Sequence, residues 1–410
     1  MPLQNNRKQL IYFNYMEDLY GSALGSTIKA KELLNGLEGL GYTIHIFWRC
    51  GEKESTEKKP ESCFRLKQWA RIVLFTPLQV LKAFIHSVQE AKIVQTLKPD
   101  LLIIRLDAFR FSGLIVAKFF KIPLIIEADG ACSYEWLTFH NGPHLWVRWL
   151  LFFEKCLLKH SDSIFVQSEP AKSYYIHTHR TSPGKITIIT NGAHPQIEIP
   201  ETVLNSQRQK YGIKPGDIVI GFSGSMHHWH GIDRIKTLIL NLLAKYNRIK
   251  FMFVGGGGPE TNSIHSQFAE NERIMFTGAI QFDQMPLYLA LFDIALAPYP
   301  PMELFYFSPV KLYEYMSAGL AIVAARIGQI QTVLTHNESG LLFTPGDQDE
   351  LQTCIETLIK NPQLRSKLAA NAQKIFYQQY TWAQKANELA DLIERTLKPR
   401  NSNDQSTSTG

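Results

Sequence analysis

The chain has 410 residues, of which 45% are hydrophobic and 20% are charged, and its formal net charge is +6. This length predicts two or three domains that each bury a core, and the composition excludes a disordered chain and a small disulfide-stapled module. The charge falls short of a nucleic-acid-binding surface but is compatible with phosphate-bearing ligands, so we expect no nucleic-acid partner.

The cysteines and the apolar segments bear on the cellular compartment. Five cysteines are scattered without a C-x-x-C pair, so neither a disulfide framework nor a zinc site is expected. The first residues show no basic segment followed by an apolar run, and no uncharged apolar stretch approaches the ~20 residues that span a bilayer. We therefore expect a cytoplasmic protein.

The first half alternates short apolar runs, rich in β-branched residues, with amphipathic segments of helical length. Such alternation predicts βαβ units and a parallel sheet. A longer apolar stretch at 146–158 contains three charged residues and predicts an amphipathic helix. The predicted strands are 10–14, 43–48, 100–106, 123–128, 163–168 and 185–190.

A polar, proline-containing stretch at 194–215 predicts a linker, and a second alternation follows it. Its strands are predicted at 217–224, 250–255, 273–279, 293–297, 320–325 and 340–343. The expected fold class is α/β, with two Rossmann-like, doubly wound domains that face a cleft. The predicted segments are a first domain at 1–197, a second at 198–379, a last helix at 380–398 and a disordered tail at 399–410.

The segment 307–319, FSPVKLYEYMSAG, carries the strongest chemical pattern. Ser308 suits an N-cap and Pro309 the first helical position, so a helix is predicted to begin there. Its free amides, its partial positive charge and Lys311 would together bind a diphosphate. Glu314 could accept hydrogen bonds from both hydroxyls of a ribose. A capped core helix with a solvated lysine is the alternative, and the local sequence leaves both open.

The same segment resembles the C-terminal signature of glycosyltransferase family 4, the retaining group 1 glycosyltransferases of GT-B fold, in the branch that reads S-P-x-K-L-x-E-Y-M-x-x-G. In the first half, related enzymes have an R, then an E-x-N motif, then a Y-E pair. The corresponding residues here are Arg105, then Glu127 and Asp129, then Glu135. The resemblance covers nearly the whole chain. Further pieces follow in the family's order at 222–225, 229–233, 253–256, 276–278 and 340–343.

The resemblance implies a retaining, metal-independent enzyme that moves a sugar from a nucleoside-diphosphate donor to a glycan, lipid-linked or small-molecule acceptor, without a cofactor. The second domain would bind the donor, with its base near 278–280, and the last helix would cross back to the first domain. The catalytic residues expected are Asp129, Lys311 and Glu314, and the acceptor-side residues are Arg105, Glu127 and Glu135. The donor-binding residues expected are Gly21, Gly25, Gly224, Ser225, His230, Gly278, Ser308, Pro309, Val310, Lys311, Leu312 and Glu314.

Several features leave alternatives open. Many family members carry two glutamates eight positions apart, but Tyr306 stands at the first position and Glu314 at the second. Many also place Arg and Lys in the loop where this chain has Ser225 and His230, which leaves Lys311 as the clearest phosphate cation. A sugar-nucleotide epimerase of similar fold and a non-catalytic nucleotide-sugar-binding subunit are the rival functions. Asp129 could also be a turn-forming residue before a glycine.

Three patterns suggest other ligands but have simpler interpretations. The histidines at 227, 228 and 230 lack the helical spacing and the carboxylates of a metal site. Asp347 and Asp349 form a D-x-D pattern that is expected to cap a helix beginning near Leu351. The glycines at 255–258 lack the G-x-G-x-x-G spacing and are expected to form a tight turn. We therefore expect neither a metal nor a dinucleotide.

An apolar segment interrupted by basic residues suggests a peripheral contact with the membrane. Arg65, Lys67, Arg71 and Lys82 could seat a helix in an anionic lipid surface. Pro77 is expected to break the helical register, and a core-packed helix with a solvated face is the alternative. Peripheral membrane contact is therefore a hypothesis from the sequence.

Overall fold

The computed structural model describes residues 7–14, 25–48, 64–107, 110–138, 144–257, 261–268 and 270–398, with side chains except at 25–26, 48, 64–76, 144–145 and 233. The chain forms two compact units. The first is Met1–Thr190 with Lys385–Gly410, and the second is Asn191–Gln384. The first boundary precedes the position at 197 suggested by the linker composition. The reason is that the backbone amide of Ala193 donates to Tyr380 O in the second unit.

The first unit is built on a six-stranded parallel sheet of order β2-β1-β3-β4-β5-β6. Residues along β1, β3 and β4 are buried almost without interruption, as expected of a parallel sheet covered on both faces. The sheet order reverses between β1 and β3, and such a switch point is where open α/β sheets bind ligands. The strands are β1 Gln9–Asn14, β2 Thr43–Trp48, β3 Leu101–Arg105, β4 Leu124–Ala128, β5 Ser163–Val166 and β6 Ile186–Ile188.

The helices of the first unit include one long helix that the sequence did not predict as continuous. α2 runs through Pro77, so the expectation that this proline ends the helical register was wrong. Among the described residues, no helix combines the length and the apolarity needed to cross a bilayer. The helices are α1 Gly25–Gly39, α2 Phe64–Leu97, α3 Ser112–Phe120, α4 Cys132–Thr138, α5 His144–His160 and α6 Glu169–His179.

The last helix, α15 (Trp382–Leu397), belongs mainly to the first unit. Its buried residues Leu389, Leu392 and Ile393 share one core cluster with Leu10 of β1 and Leu33 of α1. Gly36 of α1 lies directly against this helix. The predicted return of the C-terminal helix to the first unit is confirmed.

The second unit also has a six-stranded parallel sheet, of order β12-β11-β10-β7-β8-β9. Its order reverses between β7 and β10, because β8 and β9 extend to one side and β11 and β12 to the other. Each of the twelve predicted runs overlaps one strand, so the α/β class with two Rossmann-like units is confirmed. The strands are β7 Ile218–Ser223, β8 Ile249–Val254, β9 Ile274–Phe276, β10 Ile294–Ala297, β11 Ala321–Ala325 and β12 Leu341–Phe343.

The helices of the second unit enclose its own apolar core, which includes residues of every strand from β7 to β12. The predicted cap at Asp347 is confirmed, since its carboxylate accepts a hydrogen bond from the amide of Glu350 at 2.9 Å and α13 begins one residue later. The helices are α7 Glu201–Lys210, α8 Lys236–Lys245, α9 Thr261–Phe268, α10 Met285–Leu289, α11 Val310–Ser317, α12 Ile330–Val333, α13 Gln348–Lys360 and α14 Pro362–Gln379.

Candidate functional site

Helix α11 begins one residue later than the sequence predicts. Pro309, with φ −66° and ψ 117°, occupies the N-cap position, and no side chain caps the helix. Ser308 is not the cap, because its hydroxyl accepts a hydrogen bond from the amide of Asn191 at 3.1 Å and lies 2.9 Å from the hydroxyl of Tyr313. The first amides of the helix are therefore left to a ligand or solvent. Those of Val310 and Lys311 find no acceptor among the described residues.

Lys311 lies in the first turn of α11 with its side chain 8% exposed. Its ammonium group lies 3.9 Å from the ring centre of Phe222 and 5.7 Å from that of Tyr299. No hydrogen-bond acceptor for Nζ is present among the described residues. Burial lowers the pKa of Lys311 to about 7, although the nearby Glu314 opposes this shift. A buried amino group that lies over aromatic rings and has no hydrogen-bond acceptor among the described residues is poised to receive an anion.

Glu314 lies one turn beyond Lys311 and is partly buried. Burial raises the pKa of its carboxyl group to about 7, against the opposing charges of Lys311 and His194. No ion pair joins Glu314 and Lys311 among the described residues, and Nζ of Lys311 has no hydrogen-bond partner there. Leu312, by contrast, has a fully buried side chain, and its amide donates to Pro309 O at 3.0 Å. The structure therefore gives Leu312 a place in the core, although it was predicted to bind the donor.

The loop after β7 brings His230 toward Lys311. Nδ1 of His230 lies 2.5 Å from the carbonyl oxygen of Ser225. Because a carbonyl oxygen only accepts, Nδ1 carries the proton and Nε2 is left as an acceptor. Burial, with the positive charge of Lys311 adding to it, lowers the pKa of His230 to about 2. His230 is thus a neutral ring and does not replace the cations that other family members have here.

Three glycines line the carboxyl ends of neighbouring strands β7, β8 and β9. Gly224, Gly255 and Gly278 all have positive φ, at 121°, 109° and 70°. A Cβ atom on Gly255 would lie 2.7 Å from Gly224 O, and one on Gly224 would lie 3.0 Å from Lys311 Nζ. Gly224 thus leaves room for the lysine side chain, and Gly255 leaves room for the backbone of Gly224. Gly224 and Gly278 were predicted as site residues, whereas Gly255 was assigned only to a tight turn.

A second group of ionisable side chains lies in the first unit, at the switch point of its sheet. Arg105 ends β3, Glu127 lies in β4, and Asp129 follows the end of β4. Two residues that the sequence analysis missed complete the group. Lys29 of α1 forms a buried ion pair with Asp129, and Tyr12 of β1 donates a hydrogen bond to Glu127 at 2.5 Å. We call these five residues the buried charge cluster.

The two carboxylates of the buried charge cluster differ in their protonation. Burial alone would raise the pKa of Asp129, but the charges of Lys29 and Arg105 hold it below the ordinary value. Arg105 lies 3.4 Å from the same carboxylate. Burial and the charge of Asp129 raise the pKa of Glu127 to about 7. Glu127 is therefore better suited than Asp129 to exchange a proton near neutral pH.

The remaining predicted residues belong to neither group or lie outside the described residues. Glu135 lies on α4, where its carboxylate would be 2.6 Å from a Cβ atom on Gly130. Gly25 is the first residue of α1, and Gly21 lies outside the described residues. The side chains of Arg65, Lys67 and Arg71 are also outside them. Within the described part of the chain, no three His, Cys, Asp or Glu side chains converge as a metal site would require.

Two family models match the chain, one in each half. The model described as "Glycosyltransferase Family 4" matches residues 25–196, and the model described as "Glycosyl transferases group 1" matches residues 217–361. The chain is a family 4-like, group 1 glycosyltransferase. The matched ranges hold the Lys311 site and every residue of the buried charge cluster except Tyr12.

Two relatives illustrate how distant the similarity is. An uncharacterized glycosyltransferase of Methanocaldococcus jannaschii is 21% identical over 259 residues, which are 62% of this chain and 63% of that protein. The D-inositol 3-phosphate glycosyltransferase of Stackebrandtia nassauensis is 23% identical over 265 residues, which are 61% of this chain and 58% of that protein. The chain thus matches less than two thirds of the length of these curated relatives.

Solved structures match over almost the full length of this glycosyltransferase. A glycosyltransferase from Rickettsia africae superimposes with a TM-score of 0.71 at 16% identity, covering 96% of this chain and 99% of that chain. Anabaena HepE in complex with UDP superimposes with a TM-score of 0.67 at 19% identity, covering 95% of this chain and 100% of that chain. These matches identify the fold as GT-B.

Proposed function

We propose that this glycosyltransferase transfers a sugar from a nucleoside-diphosphate donor to a glycan, lipid-linked or small-molecule acceptor, with retention of configuration and without a metal or cofactor. The observation that carries the proposal is Lys311, a buried ammonium group with no acceptor among the described residues, beside two free helix amides. The complex of the structurally similar HepE with UDP is consistent with such a donor.

The donor contacts follow from the chemistry of the second unit. The diphosphate would lie at the start of α11, where the amides of Val310 and Lys311 donate and Lys311 supplies the charge. Glu314 would accept from the ribose hydroxyls. When the sugar–phosphate bond breaks, negative charge develops on the diphosphate, and Lys311 would stabilise it there. Nε2 of the neutral His230 would accept a hydrogen bond from a sugar hydroxyl.

The acceptor side would be supplied by the first unit. Glu127 is the group whose pKa of about 7 suits proton exchange with an acceptor hydroxyl. Arg105 and Asp129 would orient neighbouring groups through their ion pair. We further propose that the enzyme acts in the cytoplasm on polysaccharide or lipid-linked precursors, in peripheral contact with the membrane.

The donor site is tested by calorimetric titration with UDP, GDP and ADP. The proteins compared are wild type, Lys311→Met and Lys214→Met. Methionine keeps most of the length of the lysine side chain and removes its charge. Because a charge-assisted hydrogen bond contributes ~1.5–3 kcal/mol, Lys311→Met should weaken binding of the preferred nucleotide by roughly 10- to 100-fold. Lys214 is an exposed lysine of the same unit, and its replacement should leave the affinity unchanged.

Product analysis then separates transfer from the rival functions. Incubation with a sugar nucleotide and a panel of glycan, lipid-linked and small-molecule acceptors should give a glycosylated acceptor and free nucleoside diphosphate. A changed sugar nucleotide without an acceptor product would identify an epimerase. Nucleotide binding with neither product would indicate a non-catalytic subunit, and no binding of any nucleotide would refute the donor site itself.

A further inference from the structure

Seven exposed apolar side chains of the first unit form one surface, which we call the apolar face. Leu78, Leu81, Phe84, Ile85 and Val88 of α2 are 52–60% exposed, and Trp149 and Phe152 of α5 are 44% and 54% exposed. Aromatic contacts join the two helices. The ring of Phe84 lies 6.2 Å from that of Phe111, which stacks on Phe153 at 4.8 Å beside Trp149 and Phe152.

The exposed apolar residues of α2 recur at helical spacing, so they form a continuous stripe on the outer side of the helix. Positions 78, 81, 85 and 88 recur at helical intervals, and all four side chains are exposed. The opposite side, at 83, 87, 90 and 94, is buried against the unit. A helix packed on a core needs only one apolar stripe, and its outer side is ordinarily polar. Packing within the described residues therefore does not account for the outer stripe.

The charges that border the apolar face are basic. Lys82 lies between Leu78 and Ile85 on α2, and Arg148 and Lys155 lie one turn on either side of Phe152 on α5; all three basic side chains are exposed. The carboxylates of these helices are Glu90 and Glu154. Both are buried and accept hydrogen bonds, from Ser112 at 2.8 Å and from Ser133 at 2.6 Å. Neither helix therefore presents a negative charge to its surroundings.

We infer that the apolar face docks on an anionic lipid surface, with α2 and α5 lying in the plane of the headgroups. Apolar and aromatic side chains would enter the boundary between headgroups and acyl chains, where tryptophan is favoured. The basic side chains would meet lipid phosphates. An anionic surface is the favoured occupant because the border carries basic side chains and no exposed carboxylate of α2 or α5. This inference rests on the proposed membrane contact and locates it at 78–88 and 148–155.

Co-sedimentation of the full chain with vesicles tests the inference. The vesicles contain phosphatidylcholine alone or mixed with phosphatidylglycerol. The variants are Leu81→Gln/Ile85→Gln for the apolar face and Arg148→Gln/Lys155→Gln for its basic border. The controls are Leu240→Gln, which replaces a 42% exposed leucine of the second unit, and Lys367→Gln/Lys374→Gln, which removes two exposed lysines at the same spacing of seven.

Wild type and both controls should bind the phosphatidylglycerol vesicles and release at high salt. Leu81→Gln/Ile85→Gln should lose binding by at least about tenfold, and Arg148→Gln/Lys155→Gln should weaken it by about fivefold for each charge removed. Thermal unfolding should be unchanged, because the replaced side chains are exposed.

Each contrary result has its own meaning. Wild type that stays in the supernatant overturns the membrane contact, whereas variants that bind like wild type place the contact on another surface and overturn the assignment. Self-association in sedimentation velocity that disappears in Leu81→Gln/Ile85→Gln would make the apolar face a protein interface. Nucleotide binding, measured in parallel, reports on the proposed donor site and not on the membrane contact.

Discussion

At the scale of single residues, the notable feature of the Lys311 site is that the protonation of the lysine side chain depends on whether an anionic ligand is bound. Its pKa is near 7 while it faces Phe222 and Tyr299, and the diphosphate of a donor would raise that pKa. Below about pH 7, Lys311 already carries its proton before the donor binds. Above about pH 7, Lys311 must take up a proton when the donor binds. Donor affinity should therefore be highest below about pH 7 and fall as the pH rises, by up to tenfold per unit.

Calorimetry with a UDP-sugar at about pH 6 and about pH 8.5, in buffers of different ionisation enthalpy, measures this proton uptake. A nucleotide sugar is suitable because its diphosphate carries no group that titrates near neutral pH. Glu314 also titrates near pH 7 and acts in the opposite sense, so the comparison is made in Glu314→Gln. Lys311→Arg/Glu314→Gln keeps a charged side chain at position 311 at both pH values and should remove the dependence. Equal affinity of Glu314→Gln across the range would contradict the prediction.

The buried charge cluster gives a prediction about stability. The pKa of Glu127 rises from its ordinary 4.5 to about 7 on folding, so the folded state binds this proton more tightly than the unfolded state. The contribution of this proton to the free energy of unfolding is fully present below about pH 4.5 and is lost as the pH rises through about 7. Ionised Glu127 thus costs the folded protein up to about 3 kcal/mol.

Glu127→Gln should therefore stabilise the protein by ~1–3 kcal/mol at about pH 8 and have little effect at about pH 4. Glutamine still accepts the hydrogen bond from Tyr12. Denaturant unfolding at both pH values measures the difference, with Glu201→Gln, a 71% exposed glutamate side chain, as the control that should show none. A variant less stable than wild type at about pH 8 would mean that the ionised carboxylate is favourably paired.

The sequence predicted residues of these sites where their chemistry is local or where the family resemblance marks their positions. Lys311 and Glu314 could be found because they share one short helix with a proline near its start. Lys29 and Tyr12 could not, because their partners Asp129 and Glu127 lie 100 and 115 residues away in the chain. Ser308 was misassigned as a cap because nothing local shows that Asn191 binds its hydroxyl.

At the scale of elements, strands were predicted more reliably than helix limits. The apolar runs identify strands because both faces of each parallel sheet are covered. Helix α2 was misjudged at Pro77, because a proline removes one backbone hydrogen bond while tertiary packing can still hold the helix. Packing between helices depends on contacts that no local pattern shows, and the contact of α1 with α15 is one of them.

Gly36 makes that contact possible. A Cβ atom at this position would lie 2.4 Å from Cβ of Ala386, a distance that forces the helices apart. Gly36→Ala should therefore destabilise the protein by ~1–3 kcal/mol, although alanine is the better helix former. Gly39→Ala in the same helix meets nothing within 4 Å and should be neutral or slightly stabilising. Thermal and denaturant unfolding compare the two, and Gly36→Ala/Ala386→Gly should recover most of the loss.

At the scale of the whole molecule, the second unit interrupts the first. Residues 191–384 form a unit with its own core, and α15 then supplies Leu389, Leu392 and Ile393 to the core of the first unit. A chain that ends at residue 384 lacks these side chains but keeps every strand of both sheets and all of α11. The two units should therefore respond differently to that truncation.

Ending the chain at residue 384 should destabilise the first unit severely, since loss of one large buried apolar side chain costs ~2–5 kcal/mol and three are removed. Nucleotide affinity should stay near that of the full chain, because Lys311, Glu314 and the three glycines belong to the other unit. Hydrogen exchange resolved by peptide, with and without nucleotide, measures both. Ending the chain at residue 398 retains α15 and should behave as wild type. Loss of nucleotide binding on truncation at 384 would show that the second unit depends on the first for its fold.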